Sequence, residues 1–161
     1  MPFSQIINPI ILANCMEKLI EIYNQVNQFG KENELELEIV NSGEIVYKME
    51  VKAKHLATPS TIHGGMIAGM MDGVLGVAAL SAVAEENKLV STIEFKISYY
   101  KPAFKGDVLY GKGLVEKKGT RIIFASGEIK NQNNEIVAKA TGTFNAYPFE
   151  KSDVAEYLKN T

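Results

Sequence analysis

Two features of this 161-residue chain combine residue types and spacing that can do chemistry: His63-Gly64-Gly65, and Asp72 nine positions after the histidine. A helix starting at the two glycines presents unpaired backbone N–H groups and the positive end of its dipole. No side chain there keeps a substrate oxygen away, so the Gly64 N–H is placed to hold the carbonyl oxygen of an acyl group as charge develops on it. Asp72 is the one acid between His63 and Ala84, a stretch apolar nearly all round. An ionised carboxylate in that setting is costly unless it is paired or put to use. Beside a polarised ester or thioester carbonyl it acts as a general base toward water, or attacks directly. Eight residues of helix separate it from Gly64, about 12 Å, too far for both to serve one carbonyl within one chain. A two-fold pairing of helices brings Asp72 of one chain toward Gly64 of the other. Thr92, at the start of the following strand, is placed to hydrogen-bond the water or the carboxylate, although β-propensity alone also accounts for a threonine there. His63 is read as fixing the loop before the helix rather than as a base.

The element that must position these groups is the helix itself. Twenty or so apolar residues without a turn signal exceed an ordinary strand, and a helix lacking a polar face is buried. Its five glycines each cost about 1 kcal/mol of helix propensity relative to Ala, so they need a reason. The helical wheel gives one. Gly65, Gly69, Asp72, Gly73, Gly76 and Ala79 fall on one side, and Met66, Ile67, Met70, Met71, Val74 and Val77 on the other. The bulky side predicts a core contact; the small side admits a flat ligand or another backbone, with Asp72 in its middle. A helix apolar on every side needs more cover than one sheet gives, so the small side is expected to meet a second subunit.

Around that helix the hydrophobic period alternates between 3.6 and 2. A first helix over about residues 10–29 carries Ile11, Cys15, Leu19, Ile22 and Val26 along one stripe, with Gly30 placed to end it. It is assigned packing and no chemistry. Leu35, Leu37 and Ile39, then Ile45, Tyr47, Met49, Val51 and Ala53, alternate with charged residues across an Asn41-Ser42-Gly43 turn, which predicts a hairpin. A loop runs from His55 to Ile62. After the central helix, Ile93, Phe95, Ile97 and Tyr99 alternate with Thr92, Glu94, Lys96 and Ser98. Three further strands follow over 108–116, 121–130 and 136–147, and a short helix is expected within 151–160. Alternation of this kind marks an antiparallel sheet covered on one side. The expected architecture is α+β: a curved antiparallel sheet of about six strands wrapped around one long hydrophobic helix, with an extra N-terminal helix. It forms a single domain, with its core at 34–147 and a tail at 148–161.

Composition narrows the function. A net charge of −2 and a pI near 5.8 argue against a nucleic-acid binder. The single cysteine, Cys15, excludes an internal disulfide and suits a reducing compartment. The N-terminus lacks the basic region of a secretory signal. The glycines, the central Asp72 and the absence of flanking anchors weigh against a membrane span. A cytoplasmic protein is expected. Two histidines and one cysteine are too few for a convincing metal site, and neither a Ser/His/Asp set nor a Gly-Lys-Ser/Thr phosphate loop is present.

With these residues in hand, the sequence resembles the hotdog-fold acyl-CoA thioesterases, specifically the PaaI-like, phenylacetate-pathway branch. The likeness covers roughly Leu35 to Tyr147. It rests on His63-Gly64-Gly65, on Asp72, and on the run Ser91-Thr92-Ile93-Glu94-Phe95-Lys96-Ile97-Ser98-Tyr99-Tyr100-Lys101-Pro102-Ala103. The resemblance implies that Asp72 is the general base or nucleophile, that the Gly64 N–H polarises the thioester carbonyl, and that Thr92 is an auxiliary polar contact. His63, Gly65, Ala57 and Met66 are the expected substrate contacts. The resemblance further implies active sites shared across a homodimer, dimers paired into tetramers, and coenzyme A as leaving group with no separate cofactor. Many members of the branch carry an Asn or Gln about six residues before the histidine; here that position is Ala57, with Thr58 and Ser60 nearby. The Met-rich helix points to an aryl or medium-chain acyl group. The alternative is a hotdog dimer that binds or senses acyl-CoA without turning it over, a reading that Ala57 favours and Asp72 opposes.

Overall fold

In a computed structural model, residues 9–160 are described, with side chains from position 17 onward except that of residue 19. Ile11, Cys15 and Leu19 of the predicted stripe therefore lie outside the described side chains. The first described element is α1 (Pro9–Val26), which ends four residues before the predicted stop. Asn27 then opens a short second helix, α2 (Gln28–Glu32), its side-chain Oδ1 accepting from the Gly30 N–H at 3.0 Å. Gly30 does not terminate a helix as expected. It is buried inside α2, where a Cβ would fall 2.6 Å from the Asn27 side chain.

The hairpin forms as predicted from β1 (Glu36–Asn41) and β2 (Glu44–Glu50), joined through Gly43 at φ +83°. The central helix α3 (Gly64–Val83) follows, closed by Asn87 in the left-handed conformation. The remaining strands are β3 (Lys88–Tyr99), β4 (Val108–Lys118), β5 (Ile122–Lys130) and β6 (Ile136–Pro148), and α4 (Asp153–Lys159) completes the tail. All pairings are antiparallel, in the order β1-β2-β4-β5-β6-β3, so β3 is an edge strand although it follows α3 directly.

The sheet curls around α3. Ile67, Met70, Met71, Val74 and Val77 are buried against it, as the bulky side of the wheel predicts. The approach is close: a Cβ on Gly113 of β4 would fall 2.3 Å from the Val74 carbonyl oxygen. By length and composition α3 is apolar enough to cross a membrane, but most of it is enclosed by its own domain. The small side is covered in part by the chain's own N-terminal region. The Phe29 ring lies over Gly69, within 2.7 Å of where a Cβ would be, and Tyr47 of β2 faces Gly73.

One strand departs from simple alternation. β3 pairs with β6 through a bulge between Thr92 and Glu94, and Ile93 is the extra residue. Ile93 is consequently 54% exposed, whereas alternation assigned it to the apolar face. Phe95 and Ile97 keep their predicted packing against the core; Tyr99 is exposed. A bulge re-aims the side chains beside it. Here it sets Thr92 opposite the buried Phe144 and turns its hydroxyl toward α3, although the residue stays exposed.

Candidate active site

The start of α3 is held from three sides. In the loop before it, the Ile62 N–H donates to the Ala103 carbonyl at 3.0 Å and the His63 N–H to the His55 carbonyl at 2.8 Å. On the helix itself, the Tyr99 hydroxyl donates to the Gly64 carbonyl at 3.0 Å. His63 is the N-cap: its Nδ1 accepts from the Gly65 N–H at 2.8 Å, and its carbonyl accepts from Met66 at 2.9 Å. The cap assigns the helix-start amides. Gly65 and Met66 are committed to His63, while the Gly64 N–H has no acceptor among the described residues. Of the predicted glycine pair, Gly64 alone keeps a donor free for a substrate oxygen.

Two turns along, the Asp72 carboxylate is half-buried rather than enclosed. The re-aimed Thr92 donates its hydroxyl to Asp72 Oδ1 at 2.9 Å, leaving Oδ2 without a described partner. Of the two roles open to Thr92, contact with the carboxylate is the one observed. Asp72 and Thr92 border a cavity of about 350 Å3 whose other walls are mainly apolar, including Val77, Leu80, Leu89 and Phe144. The helix α1, assigned no chemistry from sequence, supplies Ile22, Tyr23 and Val26 to that cavity.

From sequence, Tyr47 is only one position in the alternation of β2, and Tyr23 falls outside the predicted stripe of α1. Tyr47 is 1% exposed, and its hydroxyl has no hydrogen-bond partner among the described residues. Leaving such a group unsatisfied costs about 1–3 kcal/mol. Burial, with the Tyr23 hydroxyl beside it, pushes the Tyr47 phenol far above its ordinary pKa. Tyr23 is raised as well, by burial first and also by the charge of Asp72, which places that hydroxyl in electrostatic reach of the carboxylate.

The remaining predicted contacts lie apart from the cavity. Ala57 is exposed in the loop, its N–H donating to the Thr61 carbonyl at 2.9 Å. Met66 is half-buried and packs against the core. Neither Ala57, Met66, His63 nor Gly65 borders the Asp72 cavity. Among the described residues no group of three or more His, Cys, Asp or Glu side chains is placed to hold a metal ion.

Residues 60–138 match the model of the Thioesterase superfamily. An Archaeoglobus fulgidus protein named as an esterase is 32% identical over 96 residues, 60% of this chain and 60% of that one. Human acyl-coenzyme A thioesterase 13 is 28% identical over 102 residues, 63% of this chain and 71% of its own. Among solved structures, the E. coli PaaI protein superposes with a TM-score of 0.74 over 84% of this chain and 96% of that one. Its identity is 21%, so the likeness speaks to the fold, which is the hotdog fold. A hypothetical thioesterase of Streptococcus pneumoniae, solved with coenzyme A, has a TM-score of 0.65 at 26% identity, covering 71% of this chain and 89% of its own. Structures of that protein with one aspartate or one threonine replaced by alanine also match.

Proposed function

Because residues 60–138 match the Thioesterase superfamily model, we propose that this protein hydrolyses an acyl-CoA thioester to the free acid and coenzyme A, with Asp72 as the acting group. The observation that carries the reading is the Asp72 carboxylate, anchored by Thr92 and set in the wall of an apolar cavity of about 350 Å3. A cavity of that size suits an aryl or medium-chain acyl group. The coenzyme A bound to the S. pneumoniae relative supports the leaving group.

In this reaction Asp72 takes a proton from water as the water oxygen bonds to the thioester carbon. The carbonyl oxygen gathers negative charge against the Gly64 N–H. The C–S bond then breaks, and the sulfur leaves with the proton that Asp72 returns. Direct attack by the carboxylate, followed by hydrolysis of the anhydride, gives the same products. Since about 12 Å of helix separates Gly64 from Asp72, a second copy supplies one of the two in each site. The open edge at β3, with Ile93 exposed, and the partly uncovered small face of α3 support a homodimer. Pairing of such dimers into tetramers, and a cytoplasmic location, complete the proposal.

A panel of aryl and medium-chain acyl-CoA thioesters, followed by thiol release, tests it beside Asp72→Ala and Asp72→Asn. Turnover by the native protein that both substitutions abolish is expected. Tight acyl-CoA binding with no turnover in any of the three proteins leaves the non-catalytic binder as the correct reading.

A further inference from the structure

The cavity of about 350 Å3 beside Asp72 has a direction. Its lining on α3 begins at Asp72, passes Gly76 and ends at Leu80, two turns or about 12 Å further along the helix. On β3 it runs from Thr92, whose hydroxyl donates to Asp72, back to Leu89, a span of about 10 Å. Two independent elements thus give the cavity the same length. The carboxylate stands at one end. At the other, Leu80 and Leu89 are buried, and Val154 of the tail helix α4 packs against the same core. These three side chains offer hydrocarbon to whatever reaches them, and none of them a hydrogen bond. A carboxylate facing an aliphatic end wall matches a ligand with a reactive head and an apolar tail.

Halfway along stands Gly76. A Cβ there would lie 3.5 Å from Cε1 of Phe144, an ordinary contact. Gly113 on the opposite side of α3 is different, because a Cβ at that position would collide with the Val74 carbonyl oxygen. Packing therefore requires glycine at 113 and does not require it at 76, where alanine would also favour the helix. Phe144 lines the same cavity, so a side chain at 76 would narrow the passage between helix and ring. The glycine keeps that passage open from Asp72 to Leu80.

We propose that this cavity gauges a straight acyl chain, which enters with its thioester at Asp72, passes Gly76 and stops against Leu80, Leu89 and Val154. The proposal rests on Asp72 acting on a thioester as described above, and it narrows the substrate to the straight medium chain. An extended hydrocarbon chain, with bonds of about 1.5 Å, advances about 1.3 Å per carbon. Octanoyl and decanoyl chains therefore span the distance from Asp72 to Leu80. A phenylacetyl group is about half as long and would leave the end wall without contacts. Val154 lies outside the matched span 60–138, so part of the stop comes from the tail of the chain.

The test is a series of straight-chain acyl-CoA thioesters from butyryl to tetradecanoyl, with phenylacetyl-CoA beside it, each followed by thiol release as kcat/KM. It is run on the full native chain and on Gly76→Ala, Gly76→Val, Leu80→Ala, Val154→Ala and Asp72→Asn. The native optimum is expected at octanoyl or decanoyl, with phenylacetyl and tetradecanoyl below it. One methylene gained or lost in an apolar pocket changes kcat/KM by about tenfold or more. The octanoyl-to-butyryl ratio should fall by at least that factor in Gly76→Val. It should fall by less in Gly76→Ala, whose thermal midpoint stays at or above the native value. The tetradecanoyl-to-octanoyl ratio should rise in Leu80→Ala and in Val154→Ala. Each ratio compares two substrates on one protein, so a general loss of stability does not move it. Ratios that stay native in all four variants, or a native optimum at phenylacetyl, overturn the gauge; with Asp72→Asn inactive, the thioesterase reading stands. Absence of native turnover across the series, or turnover retained in Asp72→Asn, overturns both.

Discussion

Replacing Gly64 by proline isolates a single atom of the proposed site. Proline at the first position of a helix is favoured, because its missing N–H is one the helix leaves unpaired. Gly64 is that first position, and no described residue accepts from its N–H. The preceding residue must be extended before a proline, and His63 already is, at φ −67° and ψ 131°. A Cβ at position 64 meets only the Tyr99 ring, at 3.7–3.8 Å, which is ordinary contact. The fold should therefore accept the substitution. Restricting the unfolded chain contributes about 0.4–1 kcal/mol of stability at a compatible site, or about 1–4 °C in Tm for a domain of this size. Turnover should respond differently. Losing one preorganised oxyanion donor costs about 2.7–4 kcal/mol in the transition state, a fall of roughly 10²–10³ in kcat. Gly64→Ala, which keeps the N–H, is the control and should stay within a few-fold of native. Steady-state thiol release and thermal melting on the three proteins make the measurement. A folded Gly64→Pro variant turning over within threefold of native would refute the role given to this amide.

Two further outcomes follow from the fold. His55 is buried, its Nδ1 accepts from the Lys52 N–H at 3.0 Å, and burial lowers its pKa, helped by Lys54 and Lys52 and opposed by Glu34. The folded state thus binds the neutral ring, so stability is fully present above the ordinary histidine pKa of about 6.5 and is lost as pH falls below it. Urea denaturation between pH 7 and pH 5 should show that loss, and His55→Phe should flatten it; equal slopes in the two proteins would remove His55 as the cause. Gly113→Ala places a Cβ 2.3 Å from the Val74 carbonyl oxygen, and such overpacking costs about 1–3 kcal/mol. A native urea midpoint in this variant would mean that α3 and β4 separate more easily than their close approach implies.

What the sequence made legible, and what it hid, divides along a physical line. The hairpin at Gly43 and strands β4 to β6 follow from period-two alternation, because one face of the sheet is buried and the other is not. The wheel of α3 sorts correctly because Met70, Met71, Val74 and Val77 have a sheet to pack on while the glycines do not. The pair Gly64 and Asp72 stands out because a glycine-led helix with one acid needs explaining. The bulge at Ile93 was hidden, since its alternating letters continue unbroken through a register change that only the pairing with β6 imposes. Asn27 ending α1 was hidden behind Gly30, the more familiar stop signal. Tyr47 was hidden because its place in the alternation of β2 explains its burial and says nothing of its unpartnered hydroxyl. The half-buried state of Asp72 has the same origin: sequence shows that its helix is apolar, but not how much of each face the chain itself covers.

The contribution of α1 to the larger cavity has an evolutionary consequence. Ile22, Tyr23 and Val26 all precede the matched span 60–138, whereas Gly64, Asp72 and Thr92 fall within it. On the proposed reading, the reacting groups and part of the mould for the acyl group are therefore written in different stretches of the chain. Exchanging the leader helix would change which chains fit while leaving the hydrolytic apparatus intact. Selectivity can drift in this architecture through sequence that a comparison of the shared domain never sees.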